Sequence, residues 1–371
     1  MKIHKPIFFC LICILTVSCH ETVVPEQPVV PEDPEEPPVE IQCEQSACWD
    51  ARIYACRDST YIKLFTRTKG WTGGDATYSV DLKNGKTLWM FGDSFIDQVS
   101  EDRSRPTFRL INNALVLQNG SEMTSFYSVN AGKIEAFAKP PETGHWYWPG
   151  DATVVNGKIL MFMQAFGTGG GGMWDFFRTS IDLLTLDLNT LQIENNIRLF
   201  KDATISWGAA IMEDVDYTYV YGVKAENPQK YLYVARTDST LTQQWEFYNG
   251  TEWSTDTLSA ASIFNGVSEQ FSVFKREGIY YFLTQNNIFG KQIYLYTATQ
   301  PQGKFENLKI VYCTPETGGN IFTYNAFAHD HIYKDSLLIS YNINSFQISD
   351  LLKSADNYRP YFVKIGGWKL N

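Results

Sequence analysis

Short apolar strands that recur at a nearly constant spacing organise most of this chain. They are rich in aromatic and β-branched residues, which favour a pleated strand over a helix. Five of them carry an aromatic residue at a matching position, namely Phe91, Phe162, Tyr221, Phe282 and Tyr341. Successive markers are 71, 59, 61 and 59 residues apart. A near-constant period of this kind indicates an array of similar structural units.

Each marker strand has a candidate partner strand before it and another after it. In the first unit the turn is Asn84-Gly85, a strong hairpin signal because both turn positions need a positive φ. The second unit repeats the Gly-Asp-Ala-Thr of the first, at 150–153 and 74–77. Five antiparallel units predict an all-β fold, a five-bladed β-propeller, with a two-sheet sandwich plus an extra domain as the alternative. The segment 61–65 is predicted to close the ring by joining the last unit.

Two aspartates frame the first hairpin. Asp75 begins the first strand and Asp93 ends the second, so the hairpin register brings both carboxylates to the same end. Neighbouring glycines leave room for a ligand, and two carboxylates on one rim suit acid/base chemistry on a sugar. The alternative is that both aspartates only cap turns.

Three further candidates follow from the propeller, in which the first strand of each blade lines a central channel. The starts of these strands are expected to converge on one mouth, which adds Asp151, Glu269 and His329 to the hairpin pair. Repulsion among the carboxylates is expected to raise the pKa of at least one and keep it protonated beside an ionised neighbour. Asp151 and Glu269 are therefore reserve catalytic candidates. His329 is either a substrate-binding or a structural histidine.

Aromatic residues flank the proposed mouth. Trp71, Trp148 and Trp207 are candidate substrate-binding residues because the apolar C–H faces of sugars stack on aromatic rings. Asn113 is a fourth candidate substrate-binding residue. The alternative for the tryptophans is packing between blades.

Residues 1–19 are predicted to be a lipoprotein signal peptide. Lys2 and Lys5 precede an apolar stretch at 7–17 that is too short to span a bilayer as a stable anchor. The serine before Cys19 resembles a bacterial lipoprotein signal, in which the cysteine is lipidated. The predicted location is the cell envelope, as an outer-membrane lipoprotein, and an ordinary secretory signal is the alternative.

Residues 20–44 are predicted to be a disordered tether, and residues 45–371 the propeller domain. The tether holds six prolines and eight acidic residues, with no lysine or arginine. The net charge of −10 leaves no basic footprint for nucleic acid. The expected partner is a polysaccharide or oligosaccharide, the expected membrane contact is the lipid anchor, and the protein is expected to be a monomer.

Four cysteines lie beyond the leader and Cys19, which predicts disulfide bonds in an oxidising compartment. They are Cys43, Cys48, Cys56 and Cys313. Three connectivities remain open. A zinc site is disfavoured because no histidine pairs with this cluster. No cofactor and no metal are predicted, and the question of a calcium ion in the channel stays open.

Several motifs together resemble one family. They are Trp71–Asp75, Leu88–Ser94, Asn112-Asn113, Trp148–Asp151, Tyr324–His329 and Ser340–Ser345. The resemblance is to secreted bacterial five-bladed propellers, many of them domains of unknown function, whose relatives include endo-D-arabinanases. In the arabinan-cleaving relatives the catalytic pair is two aspartates on this hairpin, which implies Asp75 and Asp93 here.

The leading hypothesis is a cell-surface lipoprotein glycoside hydrolase that acts on a furanose-containing, arabinan-like polysaccharide. The first alternative is a non-catalytic glycan-binding lipoprotein of a polysaccharide uptake system. The second is a structural propeller that binds protein partners. The carboxylates favour the enzyme, because binding a neutral sugar does not require several mutually repelling acids.

Overall fold

The protein is a five-bladed β-propeller. The computed structural model describes residues 52–369 except 171–174, 227 and 287–288, together with the backbone of Val23–Pro25. Five antiparallel sheets succeed one another along the chain. The innermost strand of each sheet contacts the innermost strands of its two neighbours, and the fifth returns to the first. The sheets therefore close into the predicted ring.

The blades are numbered in chain order, and their strands run from the channel outward. Blade 1 contains Tyr78–Asp81, Lys86–Phe91, Ala114–Asn119 and Glu122–Asn130. Blade 2 contains Trp146–Val155, Lys158–Thr168, Phe176–Asp187 and Ile193–Lys201. Blade 3 contains Ser206–Glu213, Thr218–Glu226, Gln229–Thr237 and Glu246–Tyr248. Blade 4 contains Phe271–Arg276, Ile279–Gln285, Gln292–Ala298 and Glu306–Cys313. Blade 5 contains Ile321–His329, Leu337–Ser345, Pro360–Gly366 and Tyr54–Arg57.

Shorter elements complete the described chain. Strands at blade edges are Val23–Pro25, Lys133–Glu135, Trp253–Ser254 and Phe264–Asn265. The helices are Ser59–Leu64 and Ile348–Lys353, with single 3₁₀ turns at Thr257–Ser259 and Ala355–Asn357. A separate sheet, here called the small sheet, consists of Lys69–Gly74, Ser94–Gln98 and Leu110–Ile111.

The five marker aromatics lie at the packing centres of the blades. Each is on the second strand of its blade and is 0 % exposed. A strand covered on both faces reads as a nearly continuous apolar run, which is why the period is visible in the sequence. The predicted repeat is confirmed.

The strand that closes the ring differs from the prediction. Tyr54–Arg57 pairs with Pro360–Gly366 at the outer edge of blade 5, whereas the predicted segment 61–65 falls largely in the helix Ser59–Leu64. That helix begins where the Asp58 side chain accepts the N–H of Tyr61, which satisfies one of the otherwise unpaired donors of the first turn.

The N-terminal predictions fall mostly outside the described residues. Cys19, the signal peptide and most of the tether lie there, but Val23–Pro25 forms a short strand along Glu122–Asn130 that the sequence analysis did not predict. Cys56 and Cys313 are each disulfide-bonded. Among the residues the structure describes, no helix is both long enough and apolar enough to cross a membrane.

Candidate active site

Asp75 and Asp93 meet where the small sheet joins blade 1. The Asp75 N–H donates to the Asp93 carbonyl at 3.2 Å, and the Gly92 N–H donates to the Asp75 carbonyl at 2.9 Å. The structure thus places both aspartates at the same end of the hairpin, as the hairpin register predicts.

The backbone around Asp75 is shaped to hold its side chain close to the opposite strand. A Cβ atom at Gly92 would lie 2.5 Å from Asp75 Oδ1, so any side chain there would displace the carboxylate. Ala76 has a φ of 49°, in the left-handed region. This conformation costs a non-glycine residue about 1–3 kcal/mol, and such strain is concentrated at functional sites.

Blade 5 supplies a hydrogen-bond donor to Asp75. The Tyr324 hydroxyl donates to Asp75 Oδ2 at 2.6 Å. Asn344 Nδ2 in turn donates to the Tyr324 hydroxyl oxygen at 3.1 Å. Tyr324 and Asn344 lie on the first two strands of blade 5, so contacts across the blade boundary orient Asp75.

Blade 2 supplies a donor to Asp93. Trp148 Nε1 donates to Asp93 Oδ1 at 2.8 Å, and Asn112 Nδ2 donates to the same oxygen at 3.2 Å. The two blades that flank blade 1 therefore each hold one carboxylate: blade 5 holds Asp75 and blade 2 holds Asp93.

The environment separates the roles of the two carboxyls. Burial raises the pKa of Asp75 to about 7, and the charge of Asp93 adds to the rise, against hydrogen bonds from Tyr324 and Tyr358. Burial also raises the pKa of Asp93, against hydrogen bonds from Trp148 and Asn112. We infer that near neutral pH the pair shares one proton, held mainly by Asp75 beside an ionised Asp93.

Asp151 lies apart from this pair, at the boundary between blades 2 and 3. Its Oδ2 accepts the N–H of Ile211 and its Oδ1 accepts the N–H of Ala152, both at 2.8 Å. Burial raises its pKa to about 7, and the charges that add to the rise are those of Asp330 and Glu213. Asp151 is thus a buried bridge between blades.

Glu269 lies on the exposed rim of blade 4 and is held by cations. It forms an ion pair with Lys230 and lies 3.9 Å from Arg178 Nη2. The structure therefore gives Glu269 a different environment from the buried pair of Asp75 and Asp93.

Four candidate substrate-binding residues are buried in the core, which favours the structural alternative given for the tryptophans and for His329. The Trp71 ring packs on Phe91 at 4.2 Å, and Trp207 lies among the aromatic residues between blades 2 and 3. Asn113 Nδ2 donates to the backbone carbonyls of residues 138 and 147. His329 hydrogen-bonds the hydroxyls of residues 79 and 340 at 2.6 and 2.8 Å. Trp148, by contrast, is half-buried beside Asp93.

Sequence reasoning assigned no role to Tyr324 or Asn112, although both lie in the motifs that carry the family resemblance. It also passed over Gln270, which precedes the first strand of blade 4. Gln270 is 2 % exposed, and both of its amide atoms lack a protein partner within the described chain. Buried amides normally find partners, so these atoms are candidates for a water or substrate hydroxyl. The described residues contain no cluster of three or more histidine, cysteine or acidic side chains arranged to hold a metal ion.

Comparison with known proteins identifies a family for most of the chain. A family model described as a domain of unknown function, DUF5005, matches residues 58–368. A search of curated proteins finds no match to the sequence.

Solved structures are similar to the chain to different degrees. One is a protein from Bacteroides ovatus ATCC 8483 with the provisional description of a hydrolase. Its TM-score is 0.76 at 23% identity, over 89% of this chain and 96% of that chain. A GH43_1 enzyme from Xanthomonas citri complexed with xylotriose has a TM-score of 0.48 at 14% identity, over 82% and 88% of the two chains. A family 43 arabinoxylan arabinofuranohydrolase from Bacillus subtilis in complex with cellotetraose has a TM-score of 0.45 at 15% identity, over 78% and 63%.

Proposed function

The chain belongs to the DUF5005 family, a domain of unknown function, and we propose that it is a glycoside hydrolase with Asp75 and Asp93 as its catalytic pair. The observation that carries the proposal is the buried carboxylate pair, in which each member has its own hydrogen-bond donors. Hydrolysis of a glycosidic bond needs one protonated and one ionised carboxyl at the same pH. The raised pKa of Asp75, about 7, supports that combination.

In this mechanism Asp75 is the general acid. It gives its proton to the glycosidic oxygen as the bond from that oxygen to the anomeric carbon breaks. Asp93 either takes a proton from the attacking water or attacks the anomeric carbon itself, and water then hydrolyses the glycosyl ester. Tyr324 and Trp148 position the two carboxyls and take no proton.

We propose a furanose-containing, arabinan-like polysaccharide as the substrate. The family resemblance of the first hairpin supports this choice, and the net charge of −10 disfavours a polyanionic glycan. The leader sequence supports attachment to the outer membrane through lipidated Cys19.

The test is release of reducing sugar by the purified protein from arabinans, arabinogalactans and other furanose or pyranose glycans. The Asp75→Asn, Asp93→Asn double variant is the control. Release by the wild type that disappears in the double variant supports the proposal. Release that persists moves the chemistry to other carboxylates. Retention of a glycan on an affinity gel without any release favours the non-catalytic binding protein instead.

Tyr324→Phe is expected to move the alkaline limb of the kcat/KM profile to higher pH. Activity is lost as the pH rises through the pKa of the acid, and the hydroxyl of Tyr324 lowers the pKa of Asp75. The expected displacement is about 0.5–1 pH unit, because a hydrogen bond contributes about 0.5–1.5 kcal/mol and one pH unit corresponds to about 1.4 kcal/mol. Tyr221→Phe, which removes a hydroxyl bonded to the Pro301 carbonyl, should leave the limb in place. A limb that moves down would contradict the assignment of Asp75 as the acid.

Trp148→Phe is expected to move the acidic limb of the same profile to higher pH. Activity is lost as the pH falls through the pKa of Asp93, and the indole N–H of Trp148 lowers that pKa. The matched control is Trp245→Phe, whose indole donates to the Leu241 carbonyl in blade 3. An unchanged acidic limb in Trp148→Phe would show that Asp93 does not set it.

A further inference from the structure

An aromatic cluster, consisting of Phe289, Phe322 and Phe346, lies at the end of blade 5 beside the carboxylate pair. The Phe322 ring is 4.4 Å from the ring of Phe289 and 4.5 Å from that of Phe346, centroid to centroid. Phe322 is buried, whereas Phe289 is 38 % exposed and Phe346 is 57 % exposed. Two rings on a buried base therefore present apolar surface to solvent.

The backbone of blade 5 fixes the position of this cluster. Phe322 pairs with Asn344 across the first two strands, so these side chains lie on one face of the hairpin. The Phe346 N–H donates to the Asn320 carbonyl at 3.1 Å, which holds Phe346 at the end of the same hairpin. Phe346 thus directly follows a strand of blade 5, whereas Phe289 lies in the loop between the second and third strands of blade 4.

Tyr324 connects the cluster to the candidate catalytic pair. Its ring lies 5.4 Å from the ring of Phe322 and 6.3 Å from that of Phe289. Its hydroxyl donates to Asp75 and accepts from Asn344. The apolar surface therefore continues, without another side chain between, into the groups that act on the glycosidic bond.

The chemistry of this surface matches a sugar ring. Sugars present an apolar C–H face and a rim of hydroxyls, and sites for such ligands combine aromatic faces with a few polar groups. Phe289 and Phe346 offer the aromatic faces, and the amide of Asn344 offers the polar group. We propose that the aromatic cluster is a subsite that binds a sugar residue of the glycan on the Asp75 side of the scissile bond. This inference rests on the proposed function.

The test is the dependence of kinetics on substrate length in Phe346→Ala. With the cleaved polysaccharide, KM should rise about tenfold while kcat changes less than twofold, because covering a half-exposed aromatic ring contributes binding of that size. With a single-sugar glycosyl fluoride, whose leaving group is too small to reach the cluster, KM should stay unchanged. Phe346→Trp, which keeps an aromatic face, should restore the wild-type KM. Leu308→Ala, at another exposed apolar side chain, should have no effect.

A second measurement separates this inference from the proposed function. Glycan retention is compared between the inactive Asp75→Asn variant and the same variant with Phe346→Ala. If Phe346→Ala hydrolyses the glycan with a KM that is unchanged, or that changes by the same factor for long and short substrates, the subsite alone is overturned. Absence of hydrolysis with retention that depends on Phe346 overturns the hydrolase alone, and absence of both overturns both. A dimer in solution that Phe346→Ala dissociates would instead assign the cluster to a second copy of the chain and overturn the subsite.

Discussion

Asp75→Asn is expected to lower kcat on the cleaved glycan by about 10³-fold and to leave the fold unchanged. A positioned general acid contributes about 10²–10⁴-fold to such reactions, and an amide cannot supply the proton. The Asn side chain keeps an oxygen that can accept the Tyr324 hydroxyl. KM should change little, because the lost interaction is one made in the transition state. The measurement is steady-state kinetics, with the far-UV circular dichroism spectrum as the check on folding.

Glu269→Gln is the matched control for Asp75→Asn. Glu269 is exposed and ion-paired to Lys230, so its loss should change kcat less than tenfold and stability by no more than about 1 kcal/mol. The opposite pattern, with activity retained in Asp75→Asn and lost in Glu269→Gln, would move the acid to blade 4.

Asp75→Asn should also change how stability depends on pH. The pKa of Asp75 is about 7 in the fold and about 3.9 in an unfolded chain. The folded state therefore binds more protons between these values, and its stability falls as the pH rises from about 4 to about 7. Asn does not titrate. The melting temperature of Asp75→Asn relative to wild type should therefore increase across that window and level off above it.

The repeat could be predicted from the sequence because each unit contains a short apolar strand that is visible in the local pattern of residues. The second strand of every blade is apolar on both faces, and markers such as Phe91 and Phe162 are fully buried. The closing strand Tyr54–Arg57 carries no such signal: it is short, and its Tyr54 is exposed. The composition of the segment 61–65 is typical of a strand, but Tyr61 and Phe65 are four residues apart, which also suits one face of a helix. The Asp58 cap favours the helix.

The position of Asp75 relative to Asp93 could also be predicted, because one hairpin fixes it. The partners that tune the pair could not, because they come from other blades. Trp148 is 55 residues from Asp93 in sequence, and Tyr324 is 249 from Asp75. Only ring closure brings them together. The choice between substrate binding and packing for Trp207 also depended on ring closure, since residues of neighbouring blades cover its ring.

Breaking the Arg105–Asp97 ion pair is expected to have the largest effect on stability. Both side chains are almost completely buried, and Arg105 Nη1 lies 2.8 and 2.6 Å from the two Asp97 oxygens. The guanidinium also bonds the Thr72 hydroxyl and stacks 4.2 Å above the Phe95 ring. Thr72 and Asp97 lie on the two strands of the small sheet that lead to Asp75 and away from Asp93.

Arg105→Met or Asp97→Asn alone is therefore expected to lower the free energy of unfolding by about 3–5 kcal/mol, because each strands an uncompensated buried charge. The double variant should lose less than either single variant, since no unpaired charge remains. The more exposed pair Arg103–Asp356 is the control, and Arg103→Met should cost only about 0–1 kcal/mol. Urea unfolding measures the free energy of unfolding of all four variants.

The ion pair holds the strands that lead to the catalytic pair. The kcat of the single variants should therefore fall even under conditions in which these variants remain folded. Full activity in a destabilised Asp97→Asn would show that the small sheet does not position the aspartates.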